Sequence, residues 1–123
     1  MFLFLYSQVE PNICDLFRQT LKFCRIQVKS MRMKLDRPQP LCCHVKKSTK
    51  VWAYENLKLY CKYRLKQLKY ISDDKRVTYF LKIAKAHWRC FVIGFNKFHL
   101  DVELSLFHEI VEDHRKTYGR NDG

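Results

Sequence analysis

From Pro11 to Asp36 the apolar side chains Phe17, Leu21, Cys24, Val28, Met31 and Leu35 recur at steps of four and three residues. That spacing returns each of them to one side of an α-helix, so the segment predicts an amphipathic helix over 12–35. Arg18, Lys22, Arg25, Lys29 and Arg32 repeat in the same rhythm one or two positions on, which lays a basic stripe beside the apolar seam. Pro38 and Pro40 stop the helix, because a proline ring offers no amide hydrogen and collides with the preceding turn. Residues 37–50, which include both prolines and Ser48-Thr49, read as a connector.

A second helix is predicted over 51–71, with Leu57, Cys61, Leu65, Leu68 and Ile71 on one face, Lys58, Lys62, Lys66 and Lys69 on the next, and Tyr60, Tyr63 and Tyr70 on a third. A strand competes for part of it, since Leu57, Leu59, Cys61, Tyr63 and Leu65 alternate with Lys58, Tyr60, Lys62, Arg64 and Lys66. The alternation fails after Lys66 while the helical period continues, which favours the helix. Ser72, Asp73 and Asp74 then supply a capping side chain and carboxylates for the positive dipole end of a third helix over 74–92. Its seam is Val77, Leu81, Ala84, Trp88 and Phe91, with Lys82, Lys85 and Arg89 alongside, and Gly94 is its expected stop.

The next stretch changes period. Phe98, Leu100, Val102, Leu104 and Leu106 alternate with His99, Asp101, Glu103 and Ser105, the pattern of a strand that could pair with 90–95 across a turn at Asn96 and Lys97. Phe107, Ile110, Val111, His114 and Tyr118 form a last helical seam, closed by Gly119. Three glycines and three prolines are too few for a sheet of many tight turns. The expected fold class is therefore mainly α: a small bundle of three to four amphipathic helices, with room for one β-hairpin near 90–106. A single basic helical domain should occupy 11–118, preceded by an N-terminal extension at 1–10 and followed by a frayed end at 119–123. Its expected core is Phe17, Leu21, Val28, Leu57, Leu65, Leu68, Val77, Leu81, Trp88, Phe91, Phe107 and Val111.

Composition supports a folded chain, since 47% hydrophobic and 15% aromatic residues can offset the entropy lost on ordering. Charge adds more. Twenty-four Lys and Arg against twelve Asp and Glu leave a net charge of +12, an excess that repels itself in a compact state unless a polyanionic partner offsets it. The excess belongs to the first hundred residues, whereas the segment from Asp101 onward is net acidic and can fold back on the basic body.

Enzyme chemistry finds little to work with. Six cysteines show no CxxC pair, and most sit in or beside apolar periodic segments, where thiols are expected to be reduced and buried. Cys42-Cys43-His44 and the scattered His99, His108 and His114 lack the spacing of a zinc site, and His108-Glu109 does not extend to HExxH because position 112 is Glu. No glycine-rich phosphate loop is present. The expectation is a protein that is not an enzyme and needs no metal or other cofactor. Met1 to Tyr6 is apolar but lacks the basic start and small-residue cleavage site of a signal peptide, and no uncharged run approaches the roughly 20 residues that span a bilayer. A membrane partner is disfavoured, and the expected location is cytoplasmic or nuclear.

The remaining signal is the basic and aromatic striping. Lys58, Lys62, Arg64, Lys66 and Lys69 occupy an acid-free stretch interleaved with Tyr60, Tyr63 and Tyr70. Rows of cations suit phosphates, because each neutralised phosphate releases a condensed counterion, and exposed tyrosines can stack on unpaired bases. Arg18, Lys22, Arg25 and Lys29, and then Lys82, Lys85 and Arg89, repeat the arrangement without glutamates at pairing distance. The sequence therefore points to binding of RNA or DNA with little sequence specificity through these fifteen side chains. A structural or adaptor role on acidic protein surfaces, such as cytoskeletal filaments, is the alternative, with Trp52 and Tyr54 as candidate anchors.

Overall fold

The computed structural model describes residues 9–33 and 49–119. Four helices cover most of them: α1 Val9–Met33, α2 Lys50–Lys69, α3 Asp74–Phe98 and α4 Leu104–Tyr118. No strand occurs among the described residues, so the mainly helical expectation stands. The connector at 37–50 lies outside them except for its last two residues, as do Cys42-Cys43-His44, the first eight residues of the N-terminal extension and the last four of the C-terminal end. Helix α1 already runs at Val9 and so begins inside the expected extension.

Local chemistry explains where the helices start. The Thr49 hydroxyl accepts from the Trp52 amide at 3.1 Å and caps α2, and the Asp73 carboxylate accepts from the Arg76 amide at 3.2 Å and caps α3. Helix α2 is the hub, packing along α3 and α1, while α4 meets α1 more narrowly. Long rings carry α4 against its neighbours. Trp88 stacks on His114 at 4.4 Å and Phe95 on Phe107 at 4.6 Å, so α3 and α4 meet through aromatic side chains.

Of the expected core, Phe17, Val28, Leu57, Trp88 and Phe91 are buried, and Leu21, Leu65, Leu68, Phe107 and Val111 pack at its margin. Val77 and Leu81 are only half-buried. Tyr54, Tyr60, Cys61 and Ile110 complete the interior. Tyr54 is thus no anchor for a partner: it is 2% exposed and packs edge-on against Phe23.

The hairpin near 90–106 is not formed, and its pattern has another cause. Residues 90–98 are the last turns of α3, His99 closes the helix in the left-handed region at φ 51°, and 100–103 form an irregular connection. Leu100 is buried from that connection, and Val102 packs against the core, which yields a strand-like alternation without a partner strand. The backbone of Asp101 is satisfied by one side chain instead: its amide donates to the Tyr54 hydroxyl at 2.9 Å, and that hydroxyl donates to its carbonyl at 3.0 Å.

Gly94 does not end α3, which continues to Phe98. It is the point of closest approach to α2, because a β-carbon placed there would run into Ala53. Gly94→Ala is therefore expected to destabilise the fold by roughly 1–3 kcal/mol through overpacking, despite alanine's better helix propensity. A urea midpoint equal to or above that of the native chain would show that α2 and α3 separate freely at this crossing.

Candidate functional site

The sequence-derived surface divides into three rows that face outward in different directions. At 100° per residue, Arg18, Lys22, Arg25 and Lys29 fall within an arc of about 60° on α1, well away from the side that carries Phe17, Cys24 and Val28, and all four are exposed. Lys82 and Arg89 are exposed on the side of α3 away from α2, and Lys85 is half-buried with its ammonium 5.9 Å from the Tyr118 ring centre. The α2 row occupies the ridge between α1 and α3. Its four lysines share an arc of about 80°.

Within that ridge the members differ. Lys58 is tied to the buried Glu55 carboxylate at 2.8 Å, so its charge serves the fold. Lys62 and Lys69 are exposed, and Lys66 lies over the Tyr63 and Phe80 rings at 5.4 and 5.8 Å. Tyr63 and Tyr70 do line this region, but as parts of a stack: Tyr63 lies parallel to His87 at 5.8 Å and inclined by 28° to Phe80 at 6.1 Å, and Tyr70 stacks on Phe80 at 5.9 Å with Arg76 above it at 4.6 Å. Both tyrosines are half-buried in these offset contacts. The ridge continues past the α2–α3 turn to Lys75 and Arg76, both exposed, with Arg76 sharing its charge with Asp73 at 3.5 Å.

Tyr60 and Arg64 must be removed from the binding surface. They are 0% and 2% exposed and point to the side of α2 that α4 covers. Arg64 Nη1 meets the Asp113 carboxylate and the Tyr60 hydroxyl, each at 2.8 Å, Nε donates to Gln67 at 3.1 Å and Nη2 to Thr117 at 3.1 Å, while the guanidinium lies 4.8 Å from the Phe17 ring centre. Burial alone would lower its pKa, but the Tyr60 oxygen and Asp113 carboxylate outweigh that and hold it above the ordinary value, so the group stays charged. Burial raises the Tyr60 phenol well above its usual range, against the pull of Arg64. Because the Tyr60 oxygen accepts from Arg64, its own hydrogen is left to donate to His114 Nδ1 at 3.0 Å, which puts the imidazole proton on Nε2.

Other reactive groups are placed structurally. Burial pushes the Cys24 thiol up to about 12 and the Cys61 thiol well above its normal value, so both are protonated at neutral pH. His87 donates from Nδ1 to the Asn56 side-chain oxygen at 2.9 Å, since the Asn56 amide nitrogen is already donating to the Trp52 carbonyl, and burial lowers the His87 pKa. Among the described residues no three metal-binding side chains converge, and no helix is long and apolar enough to cross a membrane. The acidic C-terminal part does fold back on the basic body, through Asp113. No protein-family model matches the chain, and neither a curated protein nor a solved structure matches it.

Two outcomes follow from the buried network and from His87. Asp113→Asn or Arg64→Met alone should cost roughly 3–5 kcal/mol, since each strands a polar partner in the interior, whereas the double change to Met and Leu should recover much of the loss. Denaturant titrations of the three variants test this, and a double variant no better than the singles would refute the pairing. His87 has its pKa lowered by folding, so the stability it contributes is present above its unfolded value of 6.5 and falls away as pH drops through the folded value. His87→Gln should flatten the loss of stability below pH 6.5 in melts across that range.

Proposed function

We propose that this protein binds the phosphate backbone of RNA or DNA along the exposed ridge of α2 and the α2–α3 turn, without reading sequence. The observation that supports this most is the run of Lys62, Lys66 and Lys69 on one ridge, in a helical stretch with no acidic residue from Asn56 to Ser72. Lysines act there as point charges that neutralise phosphates and release counterions. Lys75 and Arg76 carry the ridge into the α2–α3 turn, where the exposed Asp73 and Asp74 offset their charge.

The ring stack narrows the mode of binding. Tyr63, Phe80 and Tyr70 are engaged with one another in offset contacts, so the nucleic acid is held chiefly by its charge. The rows on α1 and α3 face elsewhere and meet only a strand that bends around the domain. The role is one of binding, with no catalytic step, and it places the protein with nucleic acid in the cytoplasm or nucleus.

Replacing Lys62, Lys66 and Lys69 together with Gln should reduce the slope of log affinity against log salt by about 2–3, because each lysine answers one phosphate. Far-UV circular dichroism should be unchanged, since the three side chains lie outside the core. Fluorescence anisotropy with labelled single- and double-stranded oligonucleotides measures the slope. An unaltered slope moves the binding face away from α2, and no binding at low salt ends the proposal.

A further inference from the structure

The rings that join α3 to α4 leave an open trough between the two helices. Trp88, Val92 and Phe95 of α3 and Phe107 and Val111 of α4 line a groove of about 410 Å³. Past Phe107 and Val111 it opens onto a second, shallower hollow of about 870 Å³ bordered by Leu104 and His108. Leu104 is 80% exposed, the most exposed large apolar side chain among the described residues. On α4 the apolar wall runs from Leu104 through Phe107 to Val111, about 10 Å at 1.5 Å per residue, or two helical turns.

The border of this trough is cationic at one end, where Arg115 and Arg89 outnumber Glu112, and acidic at the other, where Glu103 lines the hollow. Arg115 lines the groove from α4, and its bond to Glu112 at 3.0 Å is solvent-exposed and easily exchanged. Across from it, Lys85 and Arg89 stand one helical step to the side of Trp88 and Val92, and Arg89 is exposed. An apolar floor with cationic lips at one end selects an occupant that is apolar on one face and acidic beside it. A second copy of this chain fits badly, because each copy carries +12 and the same basic lips would meet.

We propose that the α3–α4 groove is a docking site for an amphipathic helix of a partner protein, seated by its apolar face and flanked by Asp or Glu opposite Arg89 and Arg115. This surface is separate from the α2 ridge. Leu104 closes over the far end of the guest helix, and the charged lips fix its direction.

The test uses the full chain and three labelled synthetic peptides of about five helical turns. One has leucines at i, i+3, i+4 and i+7 with glutamates on both flanks; one replaces the glutamates with lysines; one keeps the acidic composition but scatters the leucines. The first should bind with a saturable anisotropy change at least about tenfold tighter than the other two, a difference of about 1.4 kcal/mol. Arg89→Glu with Arg115→Glu should weaken it about tenfold and favour the lysine-flanked peptide. Leu104→Glu, at an exposed position that leaves folding intact, should weaken it similarly. Substituting Gln for Lys62, Lys66 and Lys69 should change nothing, which separates this site from the nucleic-acid ridge. Equal binding of the scattered peptide, or indifference to the Arg89 and Arg115 reversals, overturns the proposal. It is also overturned if binding appears only after residues 1–8 are deleted, which would assign the groove to the chain's own start. A dimer in sedimentation that Leu104→Glu dissolves would assign it to a second copy instead.

Discussion

A guanidinium sealed inside the protein sets the terms for everything packed around it. Arg64 on α2 cannot be buried unless a carboxylate reaches it, and that carboxylate is Asp113 of α4. Its flat face must also meet something, and the Phe17 ring of α1 supplies that surface. One side chain therefore fixes the register of three helices at once. Tyr60, His114 and Trp88 extend the same constraint to α3, since the imidazole that bonds the phenol also stacks on the indole.

This arrangement explains which parts of the fold were legible in sequence. Helices α1 and α3 have one apolar side and one wet side, so Phe17, Val28, Trp88 and Phe91 stood out by period alone. Helix α2 is covered on most of its circumference, and it buries Glu55, Asn56, Arg64 and Gln67 along with its apolar residues. A helix enclosed in that way has no single seam, and its partial strand-like alternation comes from the same cause. Tyr60 and Arg64 look like surface residues in the sequence because polarity is normally a sign of exposure, yet both are buried. The available clue was one arginine among four lysines: arginine is the cation that suits buried, multiply bonded sites. Its partner, 49 positions later, had no local mark.

The two turn-like signals near the end of α3 failed for related reasons. Gly94 looks like a terminator in sequence, yet the missing β-carbon serves the contact with Ala53, and only the neighbouring helix reveals that use. Alternation after Phe98 reflects a connection whose inward residues fill the core and whose backbone is held by Tyr54. The basic rows, by contrast, were legible as rows. What the sequence could not convey is that they lie on separate faces, that Lys58 is committed to Glu55 and that the tyrosine rings stack on one another.

The distance along the chain between Arg64 and its α4 partners carries a consequence for how the protein emerges during synthesis. Thr117, which binds the same guanidinium as Asp113, follows Arg64 by 53 residues. At translation rates of about 5–20 residues per second, the cation is made roughly 3–10 s before the end of its binding site. Until α4 is in place the side of α2 that carries Arg64 must stay hydrated, because sealing an unpaired cation costs several kcal/mol. The nascent protein is thereby kept from closing on itself too early, and the arrival of the last helix becomes the event that expels water and locks the bundle.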